Sequence, residues 1–287
     1  MSSPVLRDPD WNEIWKARQS LHESSKHFDD PSHNWNRREN AERYDSTSRC
    51  KYDDRVMTTI NGLDINENSR VLDIGAGPGT LAIPLASRVK DVTAVEPGEG
   101  MVEILNERMK KEGITNIRTI TKRWEDIDLA TDLDGQYDVV IASLSLTMED
   151  IGQALQKMDA ASQGSVYLFW FVDMPFWERM YADLWKPLHG TDYHSGPKAD
   201  CLFGVLYQTG IYPNVEMLPL SKDYRFTTQD EMTAFFRRRF NVMNTEQERL
   251  LDDYLKPLIR TQGSEIIISG DSTFAKIWWK KFLKKRN

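Results

Sequence analysis

The chain has 287 residues, of which 40% are hydrophobic, 10% aromatic and 28% charged, and its formal net charge is −7. This composition provides enough apolar surface for a full core and excludes a wholly disordered chain. The longest apolar run, 166–172, is far shorter than the roughly 20 residues that span a bilayer, and the mild acidity argues against a duplex-binding protein.

The cysteines and the N-terminus indicate a cellular compartment. Cys50 and Cys201 are the two cysteines of the sequence and form no disulfide framework, as is usual in a reducing environment. The first ten residues do not combine a charged start with an apolar stretch, which argues against export. We therefore expect a cytoplasmic protein with no membrane partner.

The first fifty residues read as a helical extension. Asp10 stands where it can cap an amphipathic helix, and a second helical stretch begins near Trp35. The apolar positions of the first helix have helical spacing: Trp11, Ile14, Trp15 and Leu21. We predict a helical extension or lid over residues 1–49 and a second unit over residues 50–287.

From residue 70 the pattern alternates between short apolar runs and amphipathic segments. Such alternation predicts parallel strands joined by right-handed crossover helices, that is, a doubly wound sheet. The predicted strands are 71–74, 92–95, 117–120, 137–143 and 166–171, and the predicted helices between them are 80–89, 100–112 and 148–159.

Beyond residue 171 the alternation is less regular. Strands at 215–220 and 274–279 enclose two helical segments, 228–240 and 246–259, and we predict that these strands form an antiparallel pair. The whole is an α/β fold with a doubly wound, mostly parallel seven-stranded sheet, an N-terminal helical extension and a helical insertion before the last strand.

A glycine loop and an acidic residue give the sharpest chemical signal. The run DIGAGPG at 73–79 joins a strand to a helix, and its glycines let backbone N–H groups approach a ligand closely. Glu96 ends the next strand, 17 residues after Gly79, where a carboxylate can accept hydrogen bonds from ribose hydroxyls. A dinucleotide fingerprint needs Gly or Ala at the position that Thr80 occupies, which favours a different nucleotide-like cofactor.

Four segments together resemble the class I S-adenosylmethionine-dependent methyltransferases. DIGAGPG at 73–79 resembles their motif I, TAVEP at 93–97 their motif II, RWEDI at 123–127 their adenine-binding segment, and YDVVIASLSLT at 137–147 their motif IV. The resemblance implies a Rossmann-like fold, S-adenosylmethionine as the cofactor and S-adenosylhomocysteine as its product.

The resemblance also assigns cofactor contacts. Asp73 would hold the methionine amino group, Glu96 the ribose, and Glu125 the adenine edge. In this chain Lys122-Arg123 stands where the family often has Gly-Asp, so Glu125 is the candidate replacement for that aspartate. The full set of expected cofactor-binding residues is Asp73, Gly75, Ala76, Gly77, Glu96, Pro97, Met101, Trp124, Glu125 and Ser143.

The acceptor side carries fewer signals. Thr147-Met148 stands where relatives often carry His-His, so the common base candidate is absent and no catalytic residue is assigned. The His and Asp residues of 189–201 lack a paired metal-binding motif, and we expect no metal. Candidate substrate-binding residues are Tyr44, Thr147, Trp170, Trp177, His189 and His194.

Two features have both a structural and a functional interpretation. Trp177, Tyr181 and Trp185 share one helical face, which is either core or a wall for a flat acceptor or the sulfonium. The basic run 237–239 and the basic tail from Lys280 are either solvated surfaces or binding sites for an anionic acceptor or a macromolecule.

We therefore predict a methyltransferase that moves a methyl group from S-adenosylmethionine by in-line displacement to a small-molecule acceptor. A protein side-chain acceptor is the first alternative. A non-catalytic scaffold or sensor that binds S-adenosylmethionine is the second, and a dehydrogenase is the third. No nucleic acid partner is expected.

Overall fold

An eight-stranded sheet organises the chain in the computed structural model, which describes residues 9–25, 35–51 and 53–281. The strand order is β3-β2-β1-β4-β5-β8-β6, and β7 pairs with β8. Strands β1 to β5 are parallel, whereas β8 runs antiparallel to its three neighbours. The strands are β1 Arg70–Ile74, β2 Asp91–Val95, β3 Ile117–Ile120, β4 Tyr137–Ser143, β5 Ser162–Phe171, β6 Asn214–Phe226, β7 Ile259–Gln262 and β8 Glu265–Lys280.

The helices precede, connect and cover these strands. They are α1 Trp11–Ser25, α2 Arg38–Lys51, α3 Asp53–Asn61, α4 Ala82–Ala86, α5 Glu99–Glu112, α6 Ile151–Ala161, α7 Phe176–His189, α8 Ala199–Gln208, α9 Gln229–Arg239 and α10 Thr245–Leu255. The doubly wound, mostly parallel sheet and the antiparallel pairing of the last long strands confirm the predicted fold. The short strand β7 is an addition to the predicted seven.

The parallel strands place their functional residues at one edge. Ile74 of β1 pairs with Val95 of β2 and with Ala142 of β4, so the carboxyl ends of these three strands lie side by side. Both faces of β1 and β2 are buried, which explains why most of their residues are apolar. The residues that follow these strands therefore converge on one crevice.

Two hydrophobic cores cover the two faces of the sheet. On one face, α1, α6 and α8 pack against β4, β5 and β8, with Trp15 of α1 completely buried. On the other face, α3, α4 and α5 pack against β1, β2 and the alternate side of β5, with Val56 and Ile60 of α3 buried. Successive strand residues point to opposite faces, so β5 contributes Trp170 to the first core and Phe169 to the second.

A third core lies beyond the carboxyl edge of the parallel strands. Strand β5 ends at Phe171, which pairs with Phe274, and Phe274 pairs with Leu218. Strand β6 continues past this level to Phe226, which adds roughly 25 Å of strand length at 3.3 Å per residue. Helices α7, α9 and α10 pack on this extension, where Phe236 and Phe240 are completely buried.

Several predicted boundaries were wrong. The helix predicted at 80–89 is only five residues long, because Pro84 has no N–H to donate to the carbonyl of Thr80. The helix predicted at 246–259 ends at Leu255, and a 3-10 turn then leads into β7. Leu21, expected on the apolar face of the first helix, is 49% exposed.

The N-terminal extension is joined closely to the rest of the fold. Asp10 caps α1 by accepting hydrogen bonds from the backbone N–H groups of Asn12 and Glu13. The indole N–H of Trp15 donates to the carbonyl of Met148 at 2.8 Å. Helix α2 crosses the predicted boundary at 49/50, and residues 1–8 and 26–34 of the extension lie outside the described residues, so the division stays a prediction.

In the described parts of the chain, every helix is too short or too polar to pass through a bilayer.

Candidate functional site

The glycine loop after β1 is tightly packed on one side and open on the other. Gly75, Gly77 and Gly79 all have positive φ angles, of 72°, 56° and 83°, which favour glycine. A Cβ added to Gly75 would lie 2.3 Å from the Cβ of Ser145, whereas one added to Gly77 would meet nothing within 4 Å. The loop therefore presents open backbone at Gly77.

Glu96 faces this loop from the end of β2. Its carboxylate is almost completely buried and accepts hydrogen bonds from the backbone N–H groups of Gly77 and Gly98, both at 2.9 Å. Burial raises the pKa of Glu96, and the two N–H donors oppose that shift. Each carboxylate oxygen has two acceptor sites, so both oxygens retain capacity for further donors.

Asp73 is the most unusual ionisable group of the site. It is 2% exposed and accepts a hydrogen bond from the backbone of Ala82, but its Oδ2 atom has no hydrogen-bond partner among the described residues. Burial and the nearby negative charge of Glu96 raise the pKa of Asp73 to about 7. A buried acceptor without a partner is costly, and a cationic donor placed there would relieve this cost.

The carboxyl end of β4 closes the crevice. Ser145 Oγ donates to the carbonyl of Ile74 at 2.6 Å, which ties the residues after β4 to the end of β1. Arg55 of α3 donates from Nη1 to Ser143 Oγ at 3.2 Å. A guanidinium group therefore lies beside the end of β4, on the face covered by α3.

The described part of the N-terminal extension lies against the loop after β2. A Cβ added to Gly98 would lie 2.8 Å from the Cβ of Trp35, so the two backbones are in close approach. Met101 is buried with Ala41 and Ile104 in a small separate cluster, and the partly buried Trp35 packs against it. Tyr44 is partly exposed and makes an edge-to-face contact with Trp35, with ring centroids 5.4 Å apart.

The predicted adenine segment forms a 3-10 turn at Trp124–Asp126. The Trp124 side chain lies in the first core, where its indole N–H donates to the carbonyl of Ala154 at 3.1 Å. Glu125 accepts a hydrogen bond from Arg123 at 3.0 Å, and Lys157 donates to the carbonyls of Trp124 and Glu125. The turn is thus held firmly in place.

Comparisons with known proteins identify the type of domain that the parallel strands form. A family model described as a methyltransferase domain matches residues 71–163, which include β1 to β4 and the start of β5. Residues 71–163 therefore match a methyltransferase domain, and this match supports a class I S-adenosylmethionine-dependent methyltransferase family.

The methyltransferase is similar to proteins of several organisms. It is 25% identical over 221 residues to an uncharacterized protein of Haemophilus influenzae, covering 77% of this chain and 79% of the relative. It is 39% identical over 90 residues to a ribosomal RNA small subunit methyltransferase A of Desulforapulum autotrophicum, which is 31% of either chain. The fold of a methyltransferase from Thermotoga maritima superposes with a TM-score of 0.50 and 18% identity, covering 84% of this chain and 94% of that one.

The methyltransferase uses S-adenosylmethionine as its cofactor. The residues present fit this group: Asp73 Oδ2 lacks a partner and could receive the ammonium of the methionine part, and Glu96 has acceptor sites for the ribose hydroxyls. The open side of Gly77 leaves room for a ligand against the backbone.

Two of the predicted acceptor residues, Trp170 and Thr147, differ in their burial. Trp170 is buried in the first core, where its indole N–H donates to the carbonyl of Pro197 at 2.8 Å. Thr147 is exposed in the segment after β4, and its backbone N–H donates to the carbonyl of Ser145.

The remaining candidates are divided between two regions. Trp177 contacts Phe171 at the carboxyl end of β5, with ring centroids 5.3 Å apart. His189 donates from Nε2 to the carbonyl of Phe240, beside the third core, whereas His194 contacts α1 through the hydroxyl of Ser25. Among the described residues no three His, Cys, Asp or Glu side chains form a group that could hold a metal ion.

A cavity of about 820 Å³ lies beside the short helix α4. Pro84, Met57, Arg108 and Asn116 are among its lining residues, and none of the predicted cofactor or substrate contacts lines it. The cavity is therefore separate from the predicted cofactor contacts.

Sequence reasoning missed the roles of two residues near the crevice. Ser145 lies within the segment that resembles motif IV, but its packing against Gly75 depends on how the ends of β1 and β4 align. Arg55 belongs to no motif and is brought to the end of β4 by α3. Only its positive charge was visible in the sequence.

Proposed function

We propose that this methyltransferase binds its donor between Asp73, the glycine loop and Glu96, and transfers the methyl group to a small-molecule acceptor. The acceptor would lie beyond the carboxyl ends of β4 and β5. The observation that supports the donor position best is the buried Asp73–Glu96 arrangement, in which two carboxylates face open backbone at Gly77.

The proposal includes the other sequence-predicted cofactor contacts. Gly75 and Ala76 lie in the loop that donates two hydrogen bonds to the carbonyl of Val95. Pro97 follows Glu96 directly, and Ser143 lies at the end of β4. We assign these residues to the rim of the donor site, together with the backbone of the Trp124–Asp126 turn and with Met101.

The covered carboxyl edge supports a small acceptor. Strands β6 and β8 extend past Phe171 and carry the third core above this edge, while α3 brings Arg55 to the end of β4 from another side. Elements on two sides restrict the space available to an acceptor. A protein or RNA acceptor would need an open groove at the same place.

The bound cofactor supplies a methyl group on a positively charged sulfur, which an acceptor lone pair displaces in line. The protein residues orient and shield this reaction, and such positioning can provide most of the catalysis for an activated donor. Asp73 places a buried carboxyl where the ammonium of a bound donor would favour its ionised form, and Glu96 fixes the loop through two hydrogen bonds. The described residues do not require a general base for this step.

Calorimetric titration with S-adenosylhomocysteine tests the donor site. Glu96→Ala should weaken binding by about 1.5–3 kcal/mol, the usual loss of hydrogen bonds to a charged group, which is roughly 10- to 150-fold. Glu149→Ala removes an exposed carboxylate and serves as the matched control. Unchanged affinity in a folded Glu96→Ala protein would contradict the ribose assignment.

Methyl-labelled S-adenosylmethionine tests the acceptor class. The purified protein is incubated with a cell extract, and the label is then followed into the small-molecule, protein and RNA fractions. We expect label in the small-molecule fraction. Label confined to protein or to RNA would replace the small-molecule proposal by a macromolecular one while leaving the donor site intact.

A further inference from the structure

Strand β6 forms one edge of the sheet, and no strand among the described residues pairs with its outer side. The neighbouring strand β8 shows which backbone groups face outwards, because the carbonyl of Thr273 accepts a hydrogen bond from the N–H of Val172 and so points away from β6. Thr273 lies opposite Pro219, so this pair is not hydrogen-bonded and the carbonyl of Pro219 faces outwards. Backbone direction alternates along a strand, so Val215 and Met217 also direct their N–H and carbonyl groups outwards.

Two prolines set the limits of this edge. Pro213 comes directly before β6 and Pro219 lies within it, and neither has an N–H to donate. Proline at a sheet edge normally restricts pairing, and here the two prolines leave the segment 214–218 between them. Glu216 is the centre of this segment, three residues from either proline.

A second copy of the same segment matches this edge. When two copies pair antiparallel about a two-fold axis at Glu216, Val215 of one copy lies opposite Met217 of the other, and each such pair can exchange two hydrogen bonds. Pro213 of one copy then lies opposite Pro219 of the other, where neither residue has a donor to lose. A shift of one copy by two residues would place a proline opposite Val215 or Met217 and leave a carbonyl without a donor. The prolines therefore select the register centred on Glu216.

Exposed apolar side chains border the same edge. The β8 partners of Val215 and Met217 belong to the first core, so both side chains lie on the face of the sheet that α8 covers. On that face Phe203 and Tyr207 are one turn apart on α8, and Tyr207 contacts Tyr212, just before β6, with ring centroids 5.5 Å apart. The five side chains are between 40% and 72% exposed.

The exposed apolar area is of the size that a dimer needs. An aromatic side chain offers about 150–250 Å², so the three rings, exposed by 43%, 58% and 72%, leave roughly 350 Å² uncovered. Val215 and Met217 add to this area. A standard interface buries about 800 Å² on each partner, of which about 65% is apolar in homodimers. The five side chains would therefore supply most of the apolar area of such an interface.

Charge at the two-fold axis is balanced. On the other face of the sheet the axis would bring the two copies of Glu216 next to each other. In each copy Lys276 Nζ lies 3.4 Å from Glu216 Oε2. The row across the axis would thus hold two carboxylates between two ammonium groups, and the ammonium groups offset the repulsion between the carboxylates.

We propose that a second copy of this chain pairs with the outer edge of β6, which makes the protein a two-fold symmetric dimer with one continuous sheet. The segment 214–218 provides the backbone pairing, and Phe203, Tyr207 and Tyr212 provide apolar contacts on one face. This inference concerns assembly, goes beyond the proposed function and does not depend on the donor or acceptor site.

Sedimentation of the full-length protein over a range of concentrations tests the dimer, and we expect the mass of two chains. Met217→Lys places a charge beside the axis and should raise the dissociation constant of the dimer by about tenfold or more. Met243→Lys makes the same change at a methionine that is 77% exposed before α10, and this matched control should leave the dissociation constant unchanged. Urea unfolding checks that both variants are folded.

Cysteine cross-linking tests the register in proteins that carry Cys50→Ser and keep the buried Cys201. Glu216→Cys places the new thiol opposite its own copy, with about 4.5 Å between the Cα atoms, which is within the range of a disulfide. Mild oxidation should therefore give a covalent dimer. Asn214→Cys is the matched control, because this exposed residue of the same face would lie opposite Leu218 of the second copy and should not cross-link.

The outcomes decide for or against this dimer. A monomer at every concentration would overturn the proposal, and it is the result expected if another protein or another segment of the chain covers the edge. A dimer that Met217→Lys does not weaken would overturn it as well. A dimer in which Glu216→Cys forms no cross-link, or in which Asn214→Cys cross-links equally, would refute pairing through β6 in this register.

Discussion

At the proposed donor site, Asp73 should link the stability of the fold to the affinity for the donor, and the two should change in opposite directions with pH. The pKa of this buried carboxyl is raised from 3.8 to about 7, first by burial and then by the charge of Glu96. The folded protein therefore binds a proton more tightly than the unfolded chain does. Stability contributed by Asp73 is present at low pH and is lost as the pH rises from about 4 to about 7.

The size of the effect follows from the shift. The contribution of Asp73 to the free energy of unfolding changes between its unfolded pKa of 3.8 and its folded pKa of about 7. Two pH units of this interval lie above pH 5, and at 1.36 kcal/mol per unit they correspond to about 3 kcal/mol. Asp73→Asn removes the titrating group and keeps an oxygen for the N–H of Ala82. Between pH 5 and pH 8 the native protein should thus lose up to about 3 kcal/mol more free energy of unfolding than Asp73→Asn does.

Donor affinity should follow the reverse course. On the proposed assignment an ionised Asp73 would attract the ammonium of the methionine part, so the affinity of the native protein for S-adenosylhomocysteine should rise from pH 5 to pH 8. In Asp73→Asn the affinity should be lower by roughly 10- to 150-fold at pH 8, for a loss of about 1.5–3 kcal/mol, and nearly independent of pH over this range.

Urea unfolding and calorimetry at pH 5, 6, 7 and 8 measure both quantities. Asp253→Asn changes an exposed carboxylate of α10 and is the control for a general charge effect. Parallel stability profiles for the native protein and Asp73→Asn, or a native affinity that does not change with pH, would refute the reasoning.

Two further predictions concern packing. Gly75→Ala and Gly113→Ala place a side chain at similar positive φ angles, of 72° and 69°, but only the first meets another atom, Ser145 Cβ at 2.3 Å. Urea unfolding should therefore show a loss of about 1 kcal/mol in the free energy of unfolding for Gly113→Ala and a larger loss for Gly75→Ala, which Ser145→Gly should partly reverse. Equal losses in the two variants would contradict the packing argument. Trp15→Phe removes the indole donor to Met148 and should lower the free energy of unfolding by about 1–3 kcal/mol; a loss below about 0.5 kcal/mol would show that this hydrogen bond contributes little.

The parallel half of the fold was predictable because its signals are local. Strands β1, β2, β4 and β5 contain apolar runs followed by a turn or a loop, and the predicted starts and ends of β3 and β4 are those of the structure. The glycine loop and Glu96 also met as expected, because parallel strands bring their carboxyl ends to one edge. The contact between the glycine loop and Glu96 therefore depends only on the order of the strands in the sheet.

In the antiparallel half, the pairing of β6 with β8 was predicted, but the length of β6 was not. The visible apolar run at 215–220 covers only part of β6, because the strand continues with alternating polar residues to Phe226. These outer residues are strand because they pair with the first half of β8, from Ser269 with Asp223 to Ile266 with Phe226. Pairing between segments some forty residues apart leaves no local periodicity, so sequence reasoning could not place the third core.

The charges of the proposed donor site would favour one direction of exchange. Asp73 and Glu96 are both buried carboxylates, and together they would suit a ligand with a positive ammonium and a positive sulfur. Once the methyl group has moved, the sulfur of the product is neutral. On this proposal Asp73 and Glu96 would hold the product less strongly than the donor, which would favour exchange of S-adenosylhomocysteine for a new donor.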